Sequence, residues 1–199
     1  MEPDVRRRQI LDVARTLFAS RPYSEVTTSE VAREAGVTRA LIHHYFGGVR
    51  ELYLAVLGGL TAAGAEIPGD IAGLSRQERV ARNVDVMLDL VDANRETWLA
   101  VAIHGEAIPD PEIRRVLESG REAAVERMIA ANDDLVSDTP IARLGLRSLL
   151  SMFQSACIQW VDGRATREQV HALITRTFLN LVERTIPELE AQAGRQASR

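Results

Sequence analysis

The sequence predicts an all-α protein of about nine helices, a three-helix N-terminal domain with a helix-turn-helix followed by a larger helical domain. Three observations carry this. Hydrophobic residues make up 46% of the 199-residue chain but aromatics only 5%, with abundant Ala, Leu and Arg, which suits packed helices better than sheet. Helix-start signals recur along the whole chain. Between residues 27 and 46 two short helical patterns are separated by a glycine turn.

The elements follow in order. Arg6 to about Ser20 is an amphipathic first helix. Thr27 and Glu30 form a capping box, each side chain bonding the backbone N–H at the other's end, and Val31, Ala32 and Ala35 follow at helical spacing. Gly36 supplies the left-handed residue that stops this second helix, and Thr38 caps the third, which ends at Tyr45-Phe46. A fourth helix is expected from Val49 to Gly64, with Pro68-Gly69 ending the region. Ser75 and Glu78 form another capping box and open a helix towards Ala93; a shorter helix covers Glu96 to His104. Asp110 caps the next, with Pro111 at its first position, where a missing N–H costs nothing, and it runs to about Ala131. Thr139-Pro140 opens a helix ending near Val161, and Thr166 with Gln169 caps a last one that is expected to stop at Thr185, before Pro187. Residues 191–199 read as a disordered tail.

The 27–46 segment has helix-turn-helix geometry, with a short second helix exposed enough to enter a major groove. Val31, Ala32, Val37, Ile42 and Phe46 are expected to pack against Ile10, Ala14, Leu17 and Phe18. That leaves Arg39, Ala40, Leu41, His43, His44 and Tyr45 outside the core. The net charge of −4 does not exclude a nucleic-acid partner, because its distribution is uneven: residues 1–55 carry eight Arg against seven acids, and the remainder sixteen against twenty-one. Arg6, Arg7 and Arg8 stand together at the start of the first helix, placed as a basic arm. All 24 basic residues are Arg, whose forked guanidinium suits phosphate and guanine.

The order of these residues, from the amphipathic first helix through Thr27-Thr28, Ala32, Ala35-Gly36-Val37 and Tyr45-Phe46 to Glu51-Leu52, resembles the DNA-binding domain of the TetR family of bacterial transcriptional regulators. The resemblance covers roughly residues 6 to 57 and divides the chain into a DNA-binding domain over 1–48 and an effector-binding and dimerisation domain over 49–190. It implies that Arg39, Ala40, Leu41, His43 and His44 contact bases or backbone, and that Thr28 and Tyr45 hold phosphates. Arg39 has the geometry to fork onto guanine, and Leu41 or Ala40 to meet a thymine methyl. Two positions depart from the family pattern. Val49 stands where a phosphate-gripping Lys is common, so that either Arg50 next to it replaces the Lys or the contact is absent, and His43 stands in place of a common aromatic.

The resemblance also implies a homodimer built on the last two long helices. Leu149, Phe153, Trp160, Val170, Ile174, Phe178 and Leu181 are the expected seam, since the helix from Pro140 is apolar nearly all round and so buried on several sides. It further implies a small-molecule pocket, for which Met87, Leu90, Val91, Trp98, Ile103, His104, Phe153, Gln154 and Cys157 are the candidates, with His104 and Glu106 as an orienting pair. Asp85, Asp89 and Asp92 share a helix face and read as a solvated stripe; no clustered His/Cys set points to zinc, and no cofactor is expected.

An enzyme is not expected, as the chain has no nucleophile elbow, phosphate-binding glycine loop or metal-protease signature. No apolar run is long enough for a membrane span, and the opening MEPDVRRRQ lacks the apolar core of a secretory leader. With Cys157 the single cysteine, the expectation is a cytoplasmic protein. The reading is thus a repressor that binds a palindromic double-stranded operator and is released by an effector. The alternative is a helical protein-interaction module whose DNA-binding head is weakened or non-specific.

Overall fold

The computed structural model describes residues 3–63, 73–104 and 108–197. Among them the elements are α1 (Pro3–Ser20), a 3-10 turn (Tyr23–Glu25), α2 (Thr28–Glu34), α3 (Arg39–Phe46), α4 (Val49–Ala63), α5 (Arg76–Ala93), α6 (Arg95–His104), α7 (Pro111–Ala130), α8 (Pro140–Val161), α9 (Arg167–Asn180), a π turn (Leu181–Thr185) and α10 (Ile186–Ala197). No strand occurs among the described residues. Gly64, Pro68-Gly69 and Glu106 lie outside them, as does the side chain of His104.

Two compact units emerge, one of Met1–Ala63 with Asn94–Glu118, the other of Gly64–Ala93 with Ser119–Arg199. In the first, α1 runs against α2, α4 and α6. Its core joins Ile10, Ala14 and Phe18 of α1 to Val31 and Ala32 of α2, Ile42 and Phe46 of α3, and Leu52, Tyr53 and Val56 of α4. This is the expected head core, extended by α4, Val101 of α6 and Ile113 of α7. Phe18, Tyr23 and Tyr53 gather at one end, with Phe18 edge-on to Tyr53 at 4.9 Å. Burial pushes the Tyr53 hydroxyl up to about 12.

In the second unit α9 packs on both α5 and α8, and α10 returns along α8. Val80, Val125, Ala142, Leu146, Leu149, Phe178, Val182 and Ile186 form its core. Arg167 of α9 reaches Asp85 at 2.9 Å and Asp89 at 2.7 Å on α5. Asp85 and Asp89 remain 48% and 72% exposed, so the acidic face is solvated as expected, and two of its carboxylates also tie α5 to α9. Cys157 is buried and its thiol is pushed up to about 12 by desolvation, so it is an apolar core side chain rather than a nucleophile.

The caps fall where the sequence places them. Thr27 and Thr166 make capping boxes with Glu30 and Gln169, and Thr139 accepts the Ala142 N–H ahead of Pro140. The expected stop before Pro187 does not occur. The π turn at 181–185, closed by the Ile186 N–H on the Leu181 carbonyl, widens the helix just where a proline ring would crowd it. Pro187 then sits in the first turn of α10, so α9, the π turn and α10 form one continuous rod. Residues 191–197, expected to be disordered, are the end of that helix.

Gly36 adopts a φ of +62°, and a Cβ built there meets nothing within 4 Å. Its requirement is purely for left-handed backbone. Gly36→Ala is therefore expected to destabilise the first unit by about 1 kcal/mol, and Gly36→Asn by less, in urea unfolding followed by circular dichroism.

Candidate nucleic-acid interface

The turn between α2 and α3 is held by backbone bonds that the sequence makes available. The Val37 N–H donates to the Ala32 carbonyl at 2.9 Å and the Gly36 N–H to that of Arg33 at 3.2 Å, a Schellman closure around the left-handed glycine. From outside, Gln9 Nε2 of α1 donates to the Ala35 carbonyl at 3.0 Å. Arg21 pairs with Glu30 at 2.9 Å, and that hydrogen bond leads the effects that hold the Glu30 carboxyl below its ordinary value. Thr38 then caps α3 through the Leu41 N–H.

On α3, Ile42 is fully buried and Phe46 nearly so, both facing α1. With those positions inward, Arg39, Ala40, His43 and His44 are exposed and Leu41 and Tyr45 half-buried. All six expected residues thus line up on or beside one outer face, and Thr28 sits half-buried at the first position of α2. The free N–H groups of a helix start favour phosphate there. His43 Nδ1 lies 2.7 Å from the Gly47 carbonyl, which can only accept, so Nδ1 carries the proton. In the neutral ring Nε2 is then an acceptor, fit for a base amino group; in the protonated ring it donates to phosphate. The Gly47 N–H closes the loop on the His43 carbonyl at 2.9 Å.

The basic cluster is part of α1 rather than an extended arm. Arg6 donates to Gln9, and the Arg7 guanidinium stands 5.1 Å from the Phe46 ring centroid as a cation–π contact behind the recognition helix.

Arg50, the expected substitute for a phosphate-gripping Lys, is engaged within the protein. Its Nε and Nη2 donate to both carboxylate oxygens of Asp110 at 2.7 and 3.0 Å, and Nη2 also reaches Glu112 at 3.1 Å. Asp110 simultaneously caps α7, accepting from the Glu112 N–H at 2.8 Å. A bidentate guanidinium is a strong partner, and it holds the Asp110 carboxyl down from 3.8 to about 2. The sequence spacing offered no signal for this pair, which is 60 residues apart.

The expected pocket and seam residues divide. Met87 and Phe153 line an apolar cavity in the second unit, together with Val80, Val84, Leu149 and Phe178. Leu90, Val91, Gln154 and Cys157 belong to the same unit but do not line that cavity, while Trp98, Ile103 and His104 stand on α6 in the first unit. Of the expected seam residues, Leu149, Phe153, Val170, Ile174 and Phe178 are already buried within their own chain. Trp160 and Leu181 are half-buried; Leu181 packs over Gly145, where an added Cβ would lie 3.0 Å from it. The large apolar residues left exposed on α8 and α9 are Leu144 (67%) and Leu173 (48%), which sequence periodicity had no means of separating from the core set.

Residues 10–56 match the family described as bacterial regulatory proteins, tetR family. A curated relative, the HTH-type transcriptional regulator BetI of Brucella canis, is 32% identical over 145 residues, spanning 69% of this chain and 70% of that one. The BetI of Rhizobium meliloti is 35% identical over 120 residues, 59% of each chain. Among solved structures, a tetR-family transcriptional regulator from Streptomyces coelicolor aligns with a TM-score of 0.73 at 29% identity, covering 91% of this chain and 82% of that one. A TetR-like regulator from Rhodococcus sp. RHA1 shares the fold at a TM-score of 0.69 and 19% identity, covering 90% and 97%.

The Arg50–Asp110 pair has a pH signature. Because the folded chain depresses the Asp110 carboxyl, its stabilisation is complete above the ordinary value of 3.8 and is lost as pH falls towards about 2. Asp110→Asn keeps a capping side chain but not the charge. Between about pH 5 and pH 2 its Tm is expected to fall less steeply than that of the unaltered protein, and parallel curves would remove the pair as a stabilising contact.

Proposed function

The chain belongs to the TetR family and is a transcriptional regulator, and on that premise we propose that it is a homodimeric repressor, released from a palindromic operator by a small-molecule effector. The observation that carries the DNA-reading part is the outer face of α3, where Arg39, Ala40, His43 and His44 are exposed on a helix anchored by Ile42 and Phe46. Arg39 reads guanine, Ala40 or Leu41 a thymine methyl, His43 a base amino group through Nε2, and His44 the backbone; Thr28 and Tyr45 hold phosphates. Arg50 is left out of this set, since reaching a phosphate would cost it both Asp110 oxygens.

Residues 1–48 serve as the DNA-binding domain and 49–190 as the part that dimerises and takes the effector, in the cytoplasm. None of the described helices is long and apolar enough to cross a membrane. The seam is proposed on the exposed side of α8 and α9, around Leu144 and Leu173, with Trp160 and Leu181 flanking. Two heads on one dimer address two half-sites a helical turn or a multiple apart. The effector binds better to a second spacing of the heads and shifts the population towards it; a preference of about 100-fold corresponds to roughly 2.7 kcal/mol of coupling.

Titration of the purified protein against its own upstream DNA at several salt concentrations, with competitor DNA, tests the reading. Arg39→Ala is expected to lower operator affinity about tenfold to hundredfold while leaving binding to random DNA and its salt slope nearly unchanged. Full discrimination in that mutant would move the reading face elsewhere.

The seam has its own test. The pair Leu144→Arg with Leu173→Arg is expected to give a folded monomer by light scattering and circular dichroism. Leu149→Arg, which forces a charge into the core, is expected to unfold the second unit instead. An unchanged dimer in the double mutant excludes that face.

A further inference from the structure

We propose that the cavity of the second unit is built for a small monocarboxylate with an apolar body. This rests on the reading of that unit as the effector-binding part and names the chemistry of its ligand. The cavity measures about 120 Å³, far beyond the roughly 10–15 Å³ that a single water needs on that measure. Val80 and Val84 of α5, Met128 of α7, Leu150 and Phe153 of α8 and Ile174 of α9 make walls that suit a hydrocarbon tail.

Three polar side chains line it, and they stand differently towards a ligand. Asn83 on α5 has its Oδ1 sealed among protein atoms, so that oxygen is not open to the cavity. Arg127 on α7 makes no ion pair among the described residues, whereas Arg79, Arg143 and Arg167 of the same unit are matched by Asp134, by Glu122 and Asp138, and by Asp85 and Asp89. The lining includes no Asp or Glu, and Arg127 is its single charged residue. The third polar side chain, Asn132, already donates to the Met128 carbonyl at 2.8 Å.

The charge balance decides the class. An organic cation would meet Arg127 and no carboxylate. A phosphate would bring more negative charge than one guanidinium offsets, in walls that are otherwise apolar. A neutral alcohol would leave the charge of the guanidinium unmatched. A monocarboxylate matches the guanidinium, with one or both oxygens accepting from Arg127.

A head-group series at constant tail tests this on the full-length protein: hexanoate, 1-hexanol and hexyltrimethylammonium, by calorimetric titration and thermal shift. Hexanoate is expected to bind about tenfold or more tighter than 1-hexanol, and hexyltrimethylammonium not to bind. Arg127→Met is expected to bring hexanoate down to the level of 1-hexanol without altering the alcohol, and Ala124→Leu, which fills the wall, to weaken both. Equal affinity for acid and alcohol, preference for the ammonium, or no hexanoate binding by folded protein overturns the proposal. If Arg127→Met does not fold, the series on the unaltered protein decides alone. DNA binding is measured on the same samples. Hexanoate binding that leaves operator affinity unchanged removes the effector-release reading and keeps the site; intact operator binding without hexanoate binding removes the site and keeps the regulator.

Discussion

Everything that α3 presents outward depends on the burial of two of its side chains. An isolated helix of eight residues is not stable in water, because the nucleation cost is never recovered over so short a length. Ile42 and Phe46, inserted against Ile10, Ala14 and Phe18, stabilise it by about 1.5–3 kcal/mol each. Since they lie four residues apart they share one face and orient the opposite one. Arg39, Ala40, His43 and His44 are aimed at solvent as a consequence of that core. Arg7 on the Phe46 ring and Gln9 on the Ala35 carbonyl add support from α1, so the outward face is set by contacts it does not itself make.

The Arg50 clasp extends the same logic to the next helix. Gly47 ends α3 and α4 begins at Val49, so whatever fixes the start of α4 fixes the exit of the recognition helix. Arg50 does so from the first turn, against a carboxylate that also caps α7. One aspartate thereby serves a helix start and an ion pair together. Within the second unit, Arg167 across Asp85 and Asp89 does comparable work between α5 and α9. Such half-exposed pairs add modest stability, but they define which helices are neighbours.

The local features were legible because they are encoded within four or five residues. Thr27 with Glu30, Thr38, Asp110, Thr139 and Thr166 with Gln169 each pair a side chain with a nearby backbone group, Gly36 supplies left-handed backbone, and the outer residues of α3 follow from the helical period once Ile42 and Phe46 are inward. Pro187 was misread for a reason just as local. A proline usually ends a helix, yet one turn of π geometry before it restores the path, and nothing in the composition of Leu181–Thr185 announces that turn.

By itself the sequence determined most of the helices and their caps, the glycine-stopped turn, and the outward face of the helix after it, because all of these depend on neighbours along the chain. Only the tertiary structure decided which apolar faces are spent inside the chain. On α8 and α9 the helical period shows apolar residues nearly all round, and burial alone separates Leu149, Phe153, Ile174 and Phe178 from Leu144 and Leu173. It also decided that Arg50 answers Asp110, and that Met87 and Phe153 share a cavity while Trp98 stands in the other unit. Those are contacts between residues tens of positions apart, whose existence depends on how helices pack rather than on any spacing within them.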